Sequence, residues 1–439
     1  MNKLRHFIFS SLLSKHPLVI FQTYRLMKSQ LIAIAFLLPF SAHAQQKELK
    51  VSVKNETKQE KTAAPVLIRL SEVKGLKFDV CSATVKDGEK VIPSQLDDLD
   101  NDGKNDELCF ISSPLSSGGS QTYTVSLSSS PSSTTFESRV YADMMLDDKK
   151  KKHPFITAIE APGSTNIYND LYHHGAAFES ELTAYRIYFD HRQNIDIYGK
   201  KSRQLELAAT NFYTTPEQQS AGYGNDVLWA GNSIGCGSLK MWDGQAPVNW
   251  TDVRSRSQRI VANGPVRTLV EVIDRGARVD STSSPIDVRT LYSQYAGHRD
   301  VRVDITLSRP VTTPILCTGV QKIGSSAEAF AQNGGVKSEG FVKQNGLAAS
   351  WGSDYPEMGK KEQFPPEPVG LAIRVPETYI ASTTTDDLNY LIVLGKPGQQ
   401  QLHYHVMFGA AKETEGCHNA TEWFRYAESW DPSDVTIRY

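Results

Sequence analysis

Residues Val301 to Leu307 read VRVDITL, with Val301, Val303, Ile305 and Leu307 apolar and Arg302, Asp304 and Thr306 polar between them. A period of two belongs to a β-strand, because successive side chains leave the pleated backbone on opposite faces. Val266 to Arg275 (VRTLVEVIDR), Ile286 to Leu291 (IDVRTL) and Tyr390 to Leu394 (YLIVL) repeat the pattern, with turn residues between them. Long amphipathic helical stretches are nearly absent; one helix is predicted, over Ala420 to Ser429 (ATEWFRYAES). The chain is therefore expected to be all-β and built of sandwiches.

Two domains are predicted within the 439 residues. A small N-terminal β-sandwich over 45–135 holds the runs LKVSV, VLIRL, KFDVCSATV and TYTVSLSS and closes in a Ser-rich stretch from Ser126 to Ser133. The segment 136–153, with DDKKKKH from Asp147 to His153, reads as a solvated linker, and 154–439 as one large sandwich. Lys and Arg number 47 against 49 Asp and Glu, which leaves no basic excess of the kind a nucleic-acid footprint needs. Within the presequence 1–44, Met27 to Ala44 (MKSQLIAIAFLLPFSAHA) has a lysine, an apolar run and a small-x-small end, the pattern of a secretory signal peptide starting at Met27. The run from Leu31 to Phe40 is well short of the roughly 20 residues a spanning helix needs, so no stable membrane insertion is expected and the mature protein is periplasmic or secreted. Five cysteines lack any CxxC spacing; Cys81 and Cys109 either bridge or stay reduced as small hydrophobes.

Asp98, Asp100, Asp102, Lys104 and Asp106 occupy alternate positions of the loop DLDNDGKNDEL, with Gly103 at the sixth position. Alternate residues of a tight loop turn their oxygens inward, and Ca2+ takes six to eight such hard ligands. Position twelve is Cys109 rather than a bidentate Glu and the neighbours read as strands, so an EF-hand is rejected and a structural Ca2+ loop between strands is expected. An acidic turn without metal has the same composition.

The densest polar stretch runs from Tyr172 to Lys200. Read as a continuous strand, it puts Glu179, Glu181 and Tyr185 on one face and Arg186 on the other, with His173, His174 and Arg192 nearby. Charges in mid-strand must be paired or lie on an exposed concave face, and carboxylates, guanidinium groups and tyrosines together suit sugar hydroxyls. Tyr223, Asp226 and Trp229 form a second polar and aromatic group, while His403 and His405 share a face of a later strand. No GxGxxG, P-loop, GxSxG or HExxH context is present.

The stretches HHGAAFESELTAYRIYFDHRQNIDIYGK, YGNDVLWAGNSIGCGSLKMW and IPSQLDDLDNDGKNDELCF together resemble domain-of-unknown-function family 4861, a family of exported bacterial proteins. The resemblance implies a galactose-mutarotase-like supersandwich as the large domain and a setting of polysaccharide utilisation. Uronic-acid-containing oligosaccharide or polysaccharide fragments are the partners it implies. On that basis the expected activity is a lyase or a glycoside hydrolase. His174, Tyr185 and His405 are candidate acid or base, and Arg186 or Arg192 neutralises the uronate. Glu179 and Glu181 would be a hydrolytic pair, and His173, Tyr223, Asp226 and Trp229 would contact substrate. Aldose-1-epimerase activity and a non-catalytic carbohydrate-binding protein are the alternatives.

Overall fold

The computed structural model describes residues 44–148, 153–324, 338–356 and 362–439. The presequence expected over 1–44 lies outside the described residues except for Ala44, and so do residues 149–152 of the lysine run. No helix among the described residues is long and apolar enough to cross a membrane.

The small sandwich packs a sheet containing Gln46–Lys54, Ser120–Ser128, Ser82–Asp87 and Lys90–Ile92 against a three-stranded sheet of Pro65–Arg69, Glu107–Ile111 and Ser94–Asp97. Alternate residues such as Val51, Val53, Val66, Ile68, Val125 and Leu127 bury the core between them. The C-terminal strand Thr436–Arg438 pairs with Ser52 to Lys54 and Val435 enters the same core, so the far end of the chain completes the first sandwich. Within the segment read as a linker, Val140–Asp143 forms a strand paired with Ala177 to Ser180. Its short alternation is masked in the sequence by the charges on either side. All five cysteines are free: Cys81 is exposed, whereas Cys109 is buried against Val266 and Tyr295.

The large sandwich is built on a nine-stranded antiparallel sheet that runs from Glu339–Val342 at one edge to Ala158–Pro162 at the other. Val301, Val303, Ile305 and Leu307 are fully buried on its inner face and Arg302, Asp304 and Thr306 point outward, as the alternation requires. That inner face packs against two five-stranded sheets. One carries Val140–Asp143, Gly175–Ser180, Ala184–Tyr188, Ile195–Gly199 and Asn225–Asp226, and contributes Phe178, Tyr185, Ile187 and Ile197 to the common core. The other is centred on Leu316–Gln321 and Asn389–Leu394. Its members Leu316, Val320, Ile392 and Leu394 join the same core.

A buried ion pair rivets the two sandwiches together. Arg267, 2% exposed, meets Asp97 at 2.6 Å and Glu107 at 2.8 Å, both from the small sandwich. The Gln95 side chain accepts from the main-chain amides of Val266 and Arg267. Removing one partner of such a pair strands a buried charge, which costs about 3–5 kcal/mol.

The predicted helix forms over Ala420–Ser429, capped by Asn419, whose side chain accepts from the amide of Glu422. Its Trp423 lies flat on the outer face of the nine-stranded sheet, directly over Gly370 and Gly409, which face each other across neighbouring strands. A Cβ on Gly370 would stand 2.2 Å from the indole, one on Gly409 3.0 Å. Gly370→Ala is therefore expected to destabilise the protein by about 1–3 kcal/mol through overpacking, and Gly409→Ala by less. Urea unfolding midpoints of the two variants check the order.

Candidate functional site

The outer face of the five-stranded sheet with Gly175–Ser180 is where polar and aromatic side chains collect. Register sets the arrangement: Asp143, Ala177, Arg186 and Asp196 lie side by side across four strands, with Gly175 opposite Tyr188 in the next row. The small Ala177 leaves room for the guanidinium beside it. Arg186 is 3% exposed; its Nε and Nη2 donate to Asp196 Oδ2 at 2.8 and 2.6 Å, Nη2 also to Asp226 at 3.2 Å, and Nη1 to the Tyr213 hydroxyl at 3.0 Å. Phe212 covers it, with the guanidinium carbon 4.2 Å from the ring centre. Burial works against the charge, yet the surrounding tyrosines and carboxylates hold Arg186 protonated well above its ordinary value. Arg186 is thus spent inside the fold and is not a clamp for a substrate carboxylate.

Above this buried layer stands a half-buried aromatic cluster. His174 takes a left-handed backbone, φ 70°, and lays its ring parallel to Tyr168, centroids 3.8 Å apart and 6° from coplanar. Tyr188 meets both rings edge-on, and Tyr213 meets His174 the same way at 6.4 Å. His174 Nδ1 lies 3.0 Å from the Tyr168 carbonyl, which only accepts, so Nδ1 carries the proton and Nε2 keeps a free lone pair. Burial lowers the imidazole pKa to about 4, and burial pushes the Tyr168 phenol up to about 12. Near neutral pH the pair is a neutral base beside a protonated phenol.

Arg192 is the available cation. Its Nε binds Asp190 at 2.7 Å, its guanidinium stands 5.4 and 5.7 Å from the Tyr168 and Tyr188 rings, and its Nη groups have no hydrogen-bond partner among the described residues. The loop that presents it is tied down from below by Lys240, whose buried Nζ lies within hydrogen-bond reach of the Arg192 carbonyl, of Asn194 Oδ1 at 2.8 Å and of Asn249 Oδ1 at 3.0 Å. Trp250 holds the same loop by donating its amide to the His191 carbonyl.

Several candidates from the sequence fall elsewhere. Glu179 and Glu181 do not share a strand face: Gly175–Ser180 turns back into Ala184–Tyr188 through a tight hairpin that pairs Glu179 with Ala184. No Gly, Pro or Asn marks that turn; Ser180 Oγ makes it by accepting from the Leu182 amide. Glu179 is wholly buried, paired with Lys200 and accepting from the amides of Glu206 and Leu207, and burial raises its pKa. Glu181 sits in the turn, paired with Arg139. Tyr185 faces the inner core, its hydroxyl donating to the Arg299 carbonyl at 2.7 Å. His173 is buried beside the cluster with Nε2 2.7 Å from Asp143, though the contact is not aligned as a hydrogen bond. Tyr223 and Trp229 flank Asn225–Asp226, and no hydrogen bond or ring contact joins them to the cluster among the described residues; Trp229 is 48% exposed. His405 lies on the outer face of the nine-stranded sheet, a separate place altogether. Tyr168, Tyr213 and Lys240 reach the site from loops and a strand outside the dense polar stretch, so no local sequence pattern marks them.

In the Asp-rich loop, the carboxylates of Asp98, Asp100 and Asp106 converge to within 4.8 Å of one another. Gly103 bends the chain at φ 88°, and Asp98 gathers the amides of Asn101, Asp102 and Gly103. Asp102 stands outside the converging trio and accepts from the Lys104 amide. The Lys104 ammonium pairs with Asp79 at 3.1 Å, so that side chain is no ligand and only its carbonyl remains to offer. Three hard carboxylates this close fit a divalent cation of the calcium type.

The chain belongs to the family described as Domain of unknown function (DUF4861), whose model matches residues 53–433. No curated protein sequence matches it. Among solved structures it is similar to an alpha-mannosidase from Enterococcus faecalis V583, with 10% identity and a TM-score of 0.41 over 89% of this chain and 46% of that one. A protein in the Glycosyl Hydrolase Family 38 from Enterococcus faecalis is similar at 9% identity and a TM-score of 0.40, over 89% and 47%. The chain spans just under half the length of each, and likeness this distant carries nothing about activity.

Burial lowers the Lys240 pKa from an ordinary 10.5 to about 7. Between those values the unfolded chain holds a proton that the folded chain has released, so this group makes stability rise with pH across that window. The stability difference between the wild type and Lys240→Met is expected to grow in favour of the wild type from pH 7 to pH 9, read from urea unfolding at each pH.

Proposed function

We propose that the protein is a carbohydrate-active enzyme whose site is the Tyr168, His174, Tyr188 and Tyr213 cluster, and that it acts on uronic-acid-containing oligosaccharides by β-elimination. The observation that carries this reading is Arg192, half-exposed among those rings with its Nη groups unspent. Aromatic faces stack on sugar rings, and a planar guanidinium pairs with a carboxylate through two parallel hydrogen bonds.

β-Elimination removes the proton α to the uronate carboxylate and expels the glycosidic oxygen from the neighbouring carbon. It calls for a cation at the carboxylate, a base for the carbon-bound proton and an acid for the leaving oxygen. Arg192 supplies the first, His174 Nε2 the second and the Tyr168 hydroxyl the third. Arg186 acts through the fold, holding Tyr188 and Tyr213 in place by their hydroxyls. Hydrolysis by Glu179 and Glu181 is disfavoured, since one is locked to Lys200 and the other to Arg139.

Incubation with pectic, ulvan-type and glucuronan oligosaccharides, followed by absorbance of unsaturated products, tests the reading. His174→Ala is expected to lose on the order of 10²–10⁴ in turnover while still binding glycan. Arg192→Ala is expected to raise KM on the order of tenfold. New reducing ends without absorbance would mean hydrolysis, and binding by the parent without any turnover would mean a carbohydrate-binding protein. Because His174 is neutral only above about pH 4, turnover is expected to persist through mildly acid conditions and to fall as pH drops through that value.

We also propose that Ca2+ binds Asp98, Asp100 and Asp106 in a structural role. The loop touches the large sandwich where Arg259 donates to the Leu99 carbonyl at 2.9 Å, so an ion there would stiffen the join between the sandwiches. A ligand at 100 times its Kd stabilises by about 2.7 kcal/mol. Adding Ca2+ to chelator-treated protein is expected to raise Tm, and Asp98→Asn to abolish that rise; an equal rise in the variant sinks the assignment.

A further inference from the structure

Between the small sandwich and the outer face of the nine-stranded sheet lies a cleft of about 1280 Å³, walled on its far side by the C-terminal segment around Trp430 to Val435. This exceeds the roughly 300–1,000 Å³ of a site for one drug-sized molecule. The volume suits an oligomer.

Its floor is set by register. His405, Arg302 and Ser293 stand side by side on three neighbouring strands on the outer face, with Arg374 next to His405 on the strand beyond. Arg302 spends Nε on Asp304 and Nη1 on Asp434, leaving Nη2 without a hydrogen-bond partner among the described residues. Arg374 donates to the carbonyls of Ala427 and Trp430, which fixes the start of the wall. Between these two guanidinium groups His405 is 7% exposed, lines the cleft, and makes no hydrogen bond through either ring nitrogen among the described residues. Its ring nitrogens are not enclosed by protein and open onto the cleft, so they are available to a partner there. Burial lowers its pKa to about 4, which leaves a neutral imidazole with one donor and one acceptor. The Trp430 indole meets the imidazole edge-on at 6.4 Å, and on the other side His403 lies against Tyr379 at 5.1 Å.

We propose that this cleft is a second, non-catalytic binding site for a neutral oligosaccharide, with His405 and the free Nη2 of Arg302 hydrogen-bonding a sugar hydroxyl pair and Trp430 and Tyr379 stacking on its rings. A hydroxyl both donates and accepts, so a neutral imidazole next to a guanidinium donor matches a vicinal diol. A carboxylate would instead have to share the floor with Asp300, Asp304 and Asp434, which line the same cleft. The neighbouring acids already have partners: Asp304 and Asp434 share Arg302, and Asp300 faces His298 at 3.1 Å. The site is separate from the Arg192 cluster and does not depend on the reaction assigned there.

The full-length mature protein is titrated with cellohexaose, xylohexaose, mannohexaose and β-1,4-galactohexaose by calorimetry, alongside Trp430→Ala, His405→Gln and Arg192→Ala. At least one hexasaccharide is expected to bind the parent, with affinity reduced tenfold or more in Trp430→Ala and in His405→Gln and unchanged in Arg192→Ala. Thermal melts confirm that each variant is folded, and the partly buried Trp430 at the cleft wall keeps the test sound if His405→Gln unfolds. Failure of all four to bind, or binding that both cleft variants leave intact, overturns the proposal. Loss in Arg192→Ala alone moves the binding to the first site and equally overturns it.

Discussion

A guanidinium buried on the face of a sheet must find its counter-charges on that same face, and the large sandwich is arranged around this requirement at Arg186. Asp196 comes from the next strand in register and Asp226 from the strand beyond. Two tyrosine hydroxyls complete the shell, one of them, Tyr213, brought by the excursion between Ile195–Gly199 and Asn225–Asp226. Charge-assisted hydrogen bonds of this kind are strong only while the whole shell is in place. The same constraint therefore fixes the rings that surround His174. The aromatic surface is held from beneath by a buried ionic layer.

The loop carrying Arg192 follows the same logic with different chemistry. Its carbonyls and amides turn inward, where Lys240, Asp190 and Trp250 match them, and its guanidinium is left outside. The matched groups position the loop and the unmatched one is offered to a ligand. At the join of the two sandwiches, Arg267 repeats the device with Asp97 and Glu107, so charges within strands serve there as rivets. A charged side chain thus has two uses in this protein, and only the bonding of each group distinguishes them.

Much of the fold was legible in the residues. The alternation at Val301 to Leu307 named both the strand and its two faces, and the helix at Ala420 to Ser429 appeared at its expected bounds. The Asp-rich loop was recognisable because its acidic residues are close together in the sequence. The hairpin at Ser180 to Thr183 was not legible, since a serine side chain does there what glycine or asparagine usually does. That one turn separated Glu179 from Glu181 and removed the hydrolytic pair that a continuous strand had implied.

The sequence by itself determined the class of fold, the faces of its longest strands, the acidic loop and the stretch in which polar chemistry concentrates, because each is written in neighbouring residues. Tertiary structure alone decided which charges are spent. Arg186 and Arg192 look alike in a list of residues, yet one is enclosed by Asp196 and Asp226 while the other keeps its Nη groups free. His174 and His405 likewise part company, one in the bend that enters a five-stranded sheet and the other across the core on the nine-stranded sheet. Pairing and burial are set by contacts between residues tens to hundreds of positions apart, and local periodicity carries no record of them.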